Sequence, residues 1–241
     1  AKIHEIPPEI IREQIKTVLD DFRVRAAKTG MLYSKEIIDV VHEELENRGF
    51  PIIVDPVIIA KAGAYLLKPD AMEEFIKKIA PLATVITPNK DEAEKLSGIK
   101  IRDLNDVRRA AIKIHEMGAD AVVIKGGHLM GDESIDILYW DGEFYEFRSP
   151  RINSKSTHGV GCTFSAAITA YIAKGFDIVS AVKMAKDLAY FSILYGLKIG
   201  RGYGPVNPLA KLYRDSERYN IRPDGRCDQG TAVSLIYCKF Y

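Results

Sequence analysis

The sequence predicts an α/β fold, a doubly wound and mainly parallel sheet flanked by helices. Three observations carry that expectation. Helical and strand patterns alternate along the chain, as crossover connections between parallel strands require. The strands read as short, continuous apolar runs, which is how strands covered on both faces read. One pair, around Asp141-Gly142, instead carries the alternation and turn residues of an antiparallel hairpin.

At 241 residues the chain is long enough for one substantial core. Lys plus Arg is 34 against 33 for Asp plus Glu, so no net basic field is offered to nucleic acid or an anionic membrane. The apolar runs are too short to span a bilayer, and no charged-then-apolar leader opens the sequence. Cys162, Cys227 and Cys238 are too few for a disulfide scaffold, and a reduced, cytoplasmic protein is expected.

Taken in order, Ile6-Pro7-Pro8-Glu9 starts a helix whose apolar stripe is Ile10, Ile11, Ile15, Val18 and Leu19. Arg23 to Met31 reads as a strand ending at Gly30. Ser34 caps a helix that stops at Gly49. Ile52-Ile53-Val54 is a buried strand ended by Asp55-Pro56, because proline cannot continue the ladder. Lys61 to Lys68 reads as a loop, and Asp70 to about Ala80 as a helix. Thr84 to Thr87 is a strand, and Pro88 to Glu92 enters a helix; Leu104 to Met117 is another helix, before the strand Ala121 to Ile124. Ile135 to Phe147 forms the hairpin. Two helices follow, from about Cys162 to Lys174 and from Ile178 to Leu194. Gly196 to Pro208 is a glycine- and proline-rich loop, and Leu209 to Tyr219 suits one more helix. This sets out a domain over residues 1–219 and a tail of unassigned role over 220–241.

In such sheets ligands bind beyond the carboxyl ends of the strands, where Gly30, Asp55, Asn89, Gly126 and Gly127 fall. The stretch from Asn153 to Thr163 adds two glycines one residue apart, a helix start, and Cys162 in the first turn. Unpaired N–H groups and the positive end of a helix dipole suit an anion there, and the same field favours thiolate over thiol. A phosphoryl group with a base beside it is the expected chemistry. Taken alone, a short glycine motif is also an ordinary strand-to-helix connector.

Five motifs in order weigh against coincidence. Lys28-x-Gly30-Met31-Leu32, Val54-Asp55-Pro56-Val57, Thr87-Pro88-Asn89-x-x-Glu92, Ile124-Lys125-Gly126-Gly127-His128 and Thr157-His158-Gly159-x-Gly161-Cys162-Thr163 resemble the hydroxymethylpyrimidine/phosphomethylpyrimidine kinases of thiamine biosynthesis, in the ribokinase superfamily. The resemblance covers about Ile3 to Glu217. It implies a ribokinase-like fold, ATP and Mg²⁺, a homodimer, and two phosphoryl transfers to 4-amino-5-hydroxymethyl-2-methylpyrimidine.

On that resemblance Cys162 is the catalytic base, and Gly159, Val160 and Gly161 form the anion hole with their backbone N–H groups. Asn89, Lys125, Gly126, Gly127, Thr157 and Lys186 hold the nucleotide, Met31 and Val57 the pyrimidine, and Glu92 and Asp55 the metal shell. Each has a plainer reading beside it. Asn89 with Glu92 is also a helix-capping pattern, Gly126-Gly127 a tight turn, Lys186 a solvated helix lysine, and Met31 and Val57 core residues.

The sequence departs from the family in three places. Val160 stands where the family usually has Thr. The sequence opens at what corresponds to the helix after the family's third strand, so the Ser-Asp-Ser-Gly-Gly-Ala-Gly segment that helps hold the pyrimidine has no counterpart in it. A fragment, a partner supplying that surface, or impaired activity is therefore expected. Gly202 to Pro208 resembles the passage that leads, in some archaeal members, into a synthase domain, for which Ile221 to Tyr241 is too short. A pyridoxal-type kinase and a catalytically silent ligand-binding domain are the alternative readings.

Overall fold

A six-stranded sheet in the order β1-β2-β3-β4-β5-β6 forms the centre of the computed structural model, which describes residues 3–59, 64–127 and 131–210. β1 (Ala27–Thr29), β2 (Ile52–Val54), β3 (Val85–Ile86) and β4 (Ala121–Ile124) run parallel. β5 (Glu133–Trp140) and β6 (Glu143–Pro150) complete the sheet as an antiparallel hairpin. Its turn places both Asp141 (φ 51°) and Gly142 (φ 75°) in the left-handed region, the backbone that lets a two-residue turn follow the strand twist.

Successive residues of each strand enter opposite halves of the core. Ile52, Val54, Ile86, Val122, Ile124 and Ile137 face one side, and Ile53, Val85, Ala121, Val123 and Leu138 the other. The first side is covered by α2 (Lys35–Leu45), the helical run from Pro69 to Leu82, α4 (Lys90–Ser97) and α5 (Leu104–His115), all from crossovers between parallel strands. α6 (Val160–Ala173) and α7 (Ile178–Leu194) cover the second. With both faces buried, these central strands have no polar face, which is why they read as continuous apolar runs. The fold class is the one expected from the sequence.

Several elements differ in extent from the sequence reading. β1 has only the three residues Ala27–Thr29 instead of Arg23 to Met31. Among the described residues it is an edge strand, paired only with β2, which is itself three residues long. α1 (Pro8–Asp21) buries no residue completely. It packs on α2 through Ile11, Ile15 and Leu19, leaving Ile10 and Val18 of the expected stripe exposed. The run Pro69–Leu82 passes through 3-10, α, π and 3-10 geometry, α3 being Met72–Glu74, and contains Pro81, which has no N–H to continue the helical ladder.

Within the expected loop before it, Tyr65 bridges Ile59 and Leu67 bridges Tyr33; residues 60–63 lie outside the described set. So do His128, most of the helix expected at Leu209 to Tyr219, and residues 220–241. Among the described residues no helix is long and apolar enough to cross a membrane.

Candidate active site

Because β1 to β4 are parallel, the residues following each arrive at one edge of the sheet. Asp55 leaves β2, Thr87 and Asn89 leave β3, and Lys125 leaves β4. The last two extend the ladder, through a parallel Asn89–Lys125 bridge and a Lys125 N–H donated to the Pro88 carbonyl at 2.9 Å. Asp55 is only 2 % exposed. Its Oδ1 accepts from Lys125 Nζ at 3.0 Å and, weakly, from Thr87 Oγ1 at 3.4 Å, and its Oδ2 accepts from Ser165 Oγ at 3.0 Å. The carboxylate is thus buried, paired and hydrogen-bonded, as a buried charge must be.

α6 begins against this cluster. Gly159, at φ 85°, is its N-cap, a conformation that a residue with a Cβ rarely takes. The helix starts at Val160, two residues before the Cys162 expected to open it, so the glycine loop and the helix's first turn are one structure. α4, α5 and α7 have N-termini capped by the side chains of Asn89, Asp103 and Asp177, whereas α6, like α1 and α2, has no side-chain cap; of these three, α6 begins at the carboxyl edge beside Lys125. Its first intrahelical donor is Thr163 N–H, to the Gly159 carbonyl at 2.9 Å. The N–H groups of Val160, Gly161 and Cys162 therefore have no helical partner, and with the helix dipole they define an anion position. A Cβ built on Gly161 would lie 3.4 Å from Lys125 Nζ, so the ammonium stands directly against that turn. Cys162 is exposed beside it as a free thiol.

The preceding loop is strapped down by the glycine- and proline-rich stretch after α7. His158 N–H donates to Gly204 O at 3.0 Å, Val206 N–H to His158 O at 3.0 Å, and Ser156 Oγ to Leu197 O at 2.9 Å. Thr157 lies in this strapped loop, half-buried, immediately before His158.

Asn89 and Glu92 form a reciprocal capping box: Asn89 N–H donates to Glu92 Oε2 at 2.8 Å, and Glu92 N–H to Asn89 Oδ1 at 2.9 Å. The plainer reading of this pair therefore holds, without excluding the other. Burial pushes the Glu92 carboxyl up to about 7; nearby Lys125 and the Asn89 and Ile58 N–H groups pull it down, and Asp55 adds to the rise. These carboxylate and amide oxygens are donors of the kind Mg²⁺ accepts. Two of them are already engaged in the cap, and Asp55 is engaged by Lys125 and Ser165. Among the described residues no cluster of three or more His, Cys, Asp or Glu could hold a metal. The set fits a hydrated Mg²⁺ carried by nucleotide phosphates and reached through water; it does not fit a metal cage built by the protein.

Gly126 and Gly127 differ. A Cβ on Gly126 would meet the Ile135 carbonyl oxygen at 1.6 Å, while Gly127 faces open space. Gly126 N–H donates to Asp136 Oδ1 at 2.8 Å, and the other oxygen of Asp136 pairs with Lys186 Nζ at 3.0 Å. Lys186 also donates to Ser134 Oγ at 2.9 Å, so it is a buried paired lysine and not a solvated one. Arg151 closes the loop from outside, donating to the carbonyls of Gly127, Gly131 and Glu133.

Met31 is 43 % exposed and Val57 half-buried; both follow neighbouring parallel strands at the same sheet edge, and neither belongs to the core. Ser165 and Asp136 were not legible in advance, since each is an ordinary residue within a helix or a strand. Thr87 opens one of the quoted motifs and Ser156 directly precedes another, but the sequence assigned neither a role. An open depression bounded by His115, Asp120, Trp140, Asp141, Gly142 and Ile178 lies at the opposite end of the sheet, away from all these groups.

A doubly covered, mainly parallel sheet with a bare helix N-terminus and a lysine at its carboxyl edge is the frame of a ribokinase-like kinase. The sequence profile of the phosphomethylpyrimidine kinase family matches residues 1–207, and the chain belongs to that family. It is 45 % identical over 213 residues to the hydroxymethylpyrimidine/phosphomethylpyrimidine kinase of Haemophilus influenzae, covering 86 % of this chain and 79 % of that one. It is 43 % identical over 208 residues to the thiamine biosynthesis bifunctional protein ThiED of Geobacter sulfurreducens, of whose length it spans only 42 % while 86 % of this chain is matched. Among solved structures it resembles an ADP complex of Bacillus subtilis pyridoxal kinase, with a TM-score of 0.82 and 36 % identity over 88 % of this chain and 80 % of that one.

Proposed function

We propose that the chain transfers the γ-phosphoryl group of ATP to 4-amino-5-hydroxymethyl-2-methylpyrimidine and then to its monophosphate, a step in thiamine synthesis. The observation that carries this reading is Lys125 Nζ beside the uncapped first turn of α6, with Cys162 exposed in that turn. Phosphoryl transfer asks mostly for positioning and charge stabilisation, which fixed N–H donors and an ammonium provide. The N–H groups at Val160 and Gly161, after the Gly159 cap, would hold the transferring phosphoryl, so the absence of a hydroxyl at Val160 leaves the backbone donors intact. Cys162 would take the proton of the attacking hydroxymethyl group.

Lys125, Gly126 and Gly127, with Asn89 and Thr157 nearby, would border the triphosphate, and Lys186 would act from beneath that loop. Mg²⁺, held by the phosphates and reached through water from Glu92 and Asp55, would neutralise developing charge. Met31 and Val57 would touch the pyrimidine. A homodimer in the cytoplasm completes the reading.

A pyridoxal-type kinase is the second reading, favoured by the likeness to a pyridoxal kinase. Release of ADP from Mg-ATP with hydroxymethylpyrimidine, its monophosphate or pyridoxal decides between them, with Cys162→Ala as control. Release with the pyrimidines that Cys162→Ala abolishes supports the first reading. Preference for pyridoxal replaces it, and no release with any acceptor favours a binding domain.

A further inference from the structure

The cluster around Asp55 contains a group that neither the motifs nor the proposed transfer uses. Ser165 is completely buried in the second turn of α6, yet its hydroxyl lies 3.0 Å from Asp55 Oδ2, across 110 residues of sequence. The same oxygen is 3.2 Å from the Cys162 carbonyl, the ordinary back-bond of a serine in a helix. A hydroxyl has one proton to give. The carboxylate is the closer and charged acceptor, and hydrogen bonds to charged groups are the stronger ones. The proton therefore belongs to Asp55.

Asp55 divides its charge between two sides. Oδ2 is held by Ser165, and Oδ1 by Lys125 and weakly by Thr87. Lys125 in turn stands against Gly161 at the anion turn. Whatever charge Ser165 neutralises on Asp55 is charge that no longer binds Lys125. Without it, one buried oxygen would lose its donor, and the carboxylate would draw the ammonium harder, away from an incoming phosphate.

We propose that Ser165 is a positioning residue, which acts through Asp55 to keep Lys125 available to the phosphates of a nucleotide. Ser165 also ties the start of α6, which carries the anion turn, to the end of β2. The inference rests on the anion site of the kinase reading, but not on which acceptor is phosphorylated.

The test is the dissociation constant of Mg-ATP, measured by titration calorimetry on the full chain, for wild type, Ser165→Ala, Ser165→Thr, Asp55→Asn and the Asp55→Asn/Ser165→Ala double variant. Ser165→Ala is expected to weaken binding about tenfold, the size of one hydrogen bond to a charged group. Ser165→Thr, which keeps the hydroxyl, is expected to restore most of that affinity. In the Asp55→Asn background the alanine substitution should have no further effect, since the serine then has no carboxylate to act through. Should Ser165→Ala fail to fold, Ser165→Cys, of nearly the same shape but a weak donor, takes its place. Unchanged affinity without the hydroxyl, an equal loss in the Asp55→Asn background, or no Mg-ATP binding by wild type would each overturn the proposal. Wild type that binds Mg-ATP in this Ser165-dependent way but releases no ADP with any acceptor would uphold it and remove the kinase reading.

Discussion

Among the described residues, two lysine–aspartate pairs are buried at one edge of the sheet, both at 3.0 Å, and they are built differently. In Asp136–Lys186 every partner is internal: the lysine holds Ser134 as well, and the carboxylate holds the Gly126 N–H. In Asp55–Lys125 the carboxylate is shared with Ser165 and Thr87, and the lysine reaches the bare turn of α6. Side-chain exposure follows the same division, 8 % for Lys186 against 16 % for Lys125. Burying an ion pair seldom yields net stability, because desolvation offsets the attraction. The contrast teaches that the first pair fixes a loop, while the second keeps a charge close to where it can be redirected.

The comparison can be broken most directly by removing each lysine. Lys186→Met should leave Asp136 buried and unpaired, costing about 3–5 kcal/mol of stability in chemical denaturation. Lys125→Met should instead lower kcat by roughly 10²–10³-fold, as loss of one transition-state charge contact does, with a smaller change in stability. If the two variants exchange these signatures in denaturation and turnover assays, the assignment of roles is reversed.

Next in size, Gly126→Ala should disrupt the loop over Asp136, because its Cβ would fall 1.6 Å from the Ile135 carbonyl oxygen. Gly127→Ala has nothing within 4 Å and should melt close to wild type. Equal melting temperatures for the two would contradict this account of the loop.

Glu92 sharpens the comparison through pH. Its folded pKa, about 7, lies above the ordinary 4.5, so between those values the folded state binds more protons than the unfolded one. Stability should therefore be fully present below about pH 4.5 and decline as pH rises towards 7. The total loss is about 3 kcal/mol, since each tenfold difference in proton affinity between the folded and unfolded states is worth about 1.36 kcal/mol. In Glu92→Gln, which can still accept the Asn89 N–H, this decline should flatten in denaturation curves taken across that range. An unchanged slope would show that another group is responsible. The smallest effect expected is from Thr87→Val, whose contacts at 3.4 and 3.5 Å are weak: a loss of about 1 kcal/mol or less in the same assay.

The backbone plan was legible because it rests on local rules. Ala121–Ile124 and Ile178–Leu194 were read with the bounds observed, since one is a pure apolar run and the other is a helix with Asp177 as its cap. The Asp141-Gly142 turn was equally plain, because few residue pairs tolerate two positive φ angles. The short β1 was not legible, since its length is set by a partner 25 residues away. The strap from Gly196 to Val206 reads only as a loop in the sequence because its hydrogen bonds go to Ser156 and His158, distant in sequence. Asn89 and Glu92 were found by spacing, but spacing alone could not say that both arms of the capping box form.

By itself, then, the sequence determined the alternation of elements, the apolar faces and the motif order, because propensity, periodicity and turn chemistry act over a few residues. Its motifs also pointed to the family. The tertiary structure decided which charges face one another. Asp55 meets Lys125 and Ser165, and Asp136 meets Lys186, only after parallel strands bring separate segments to one edge and burial makes an unpaired charge too costly to keep.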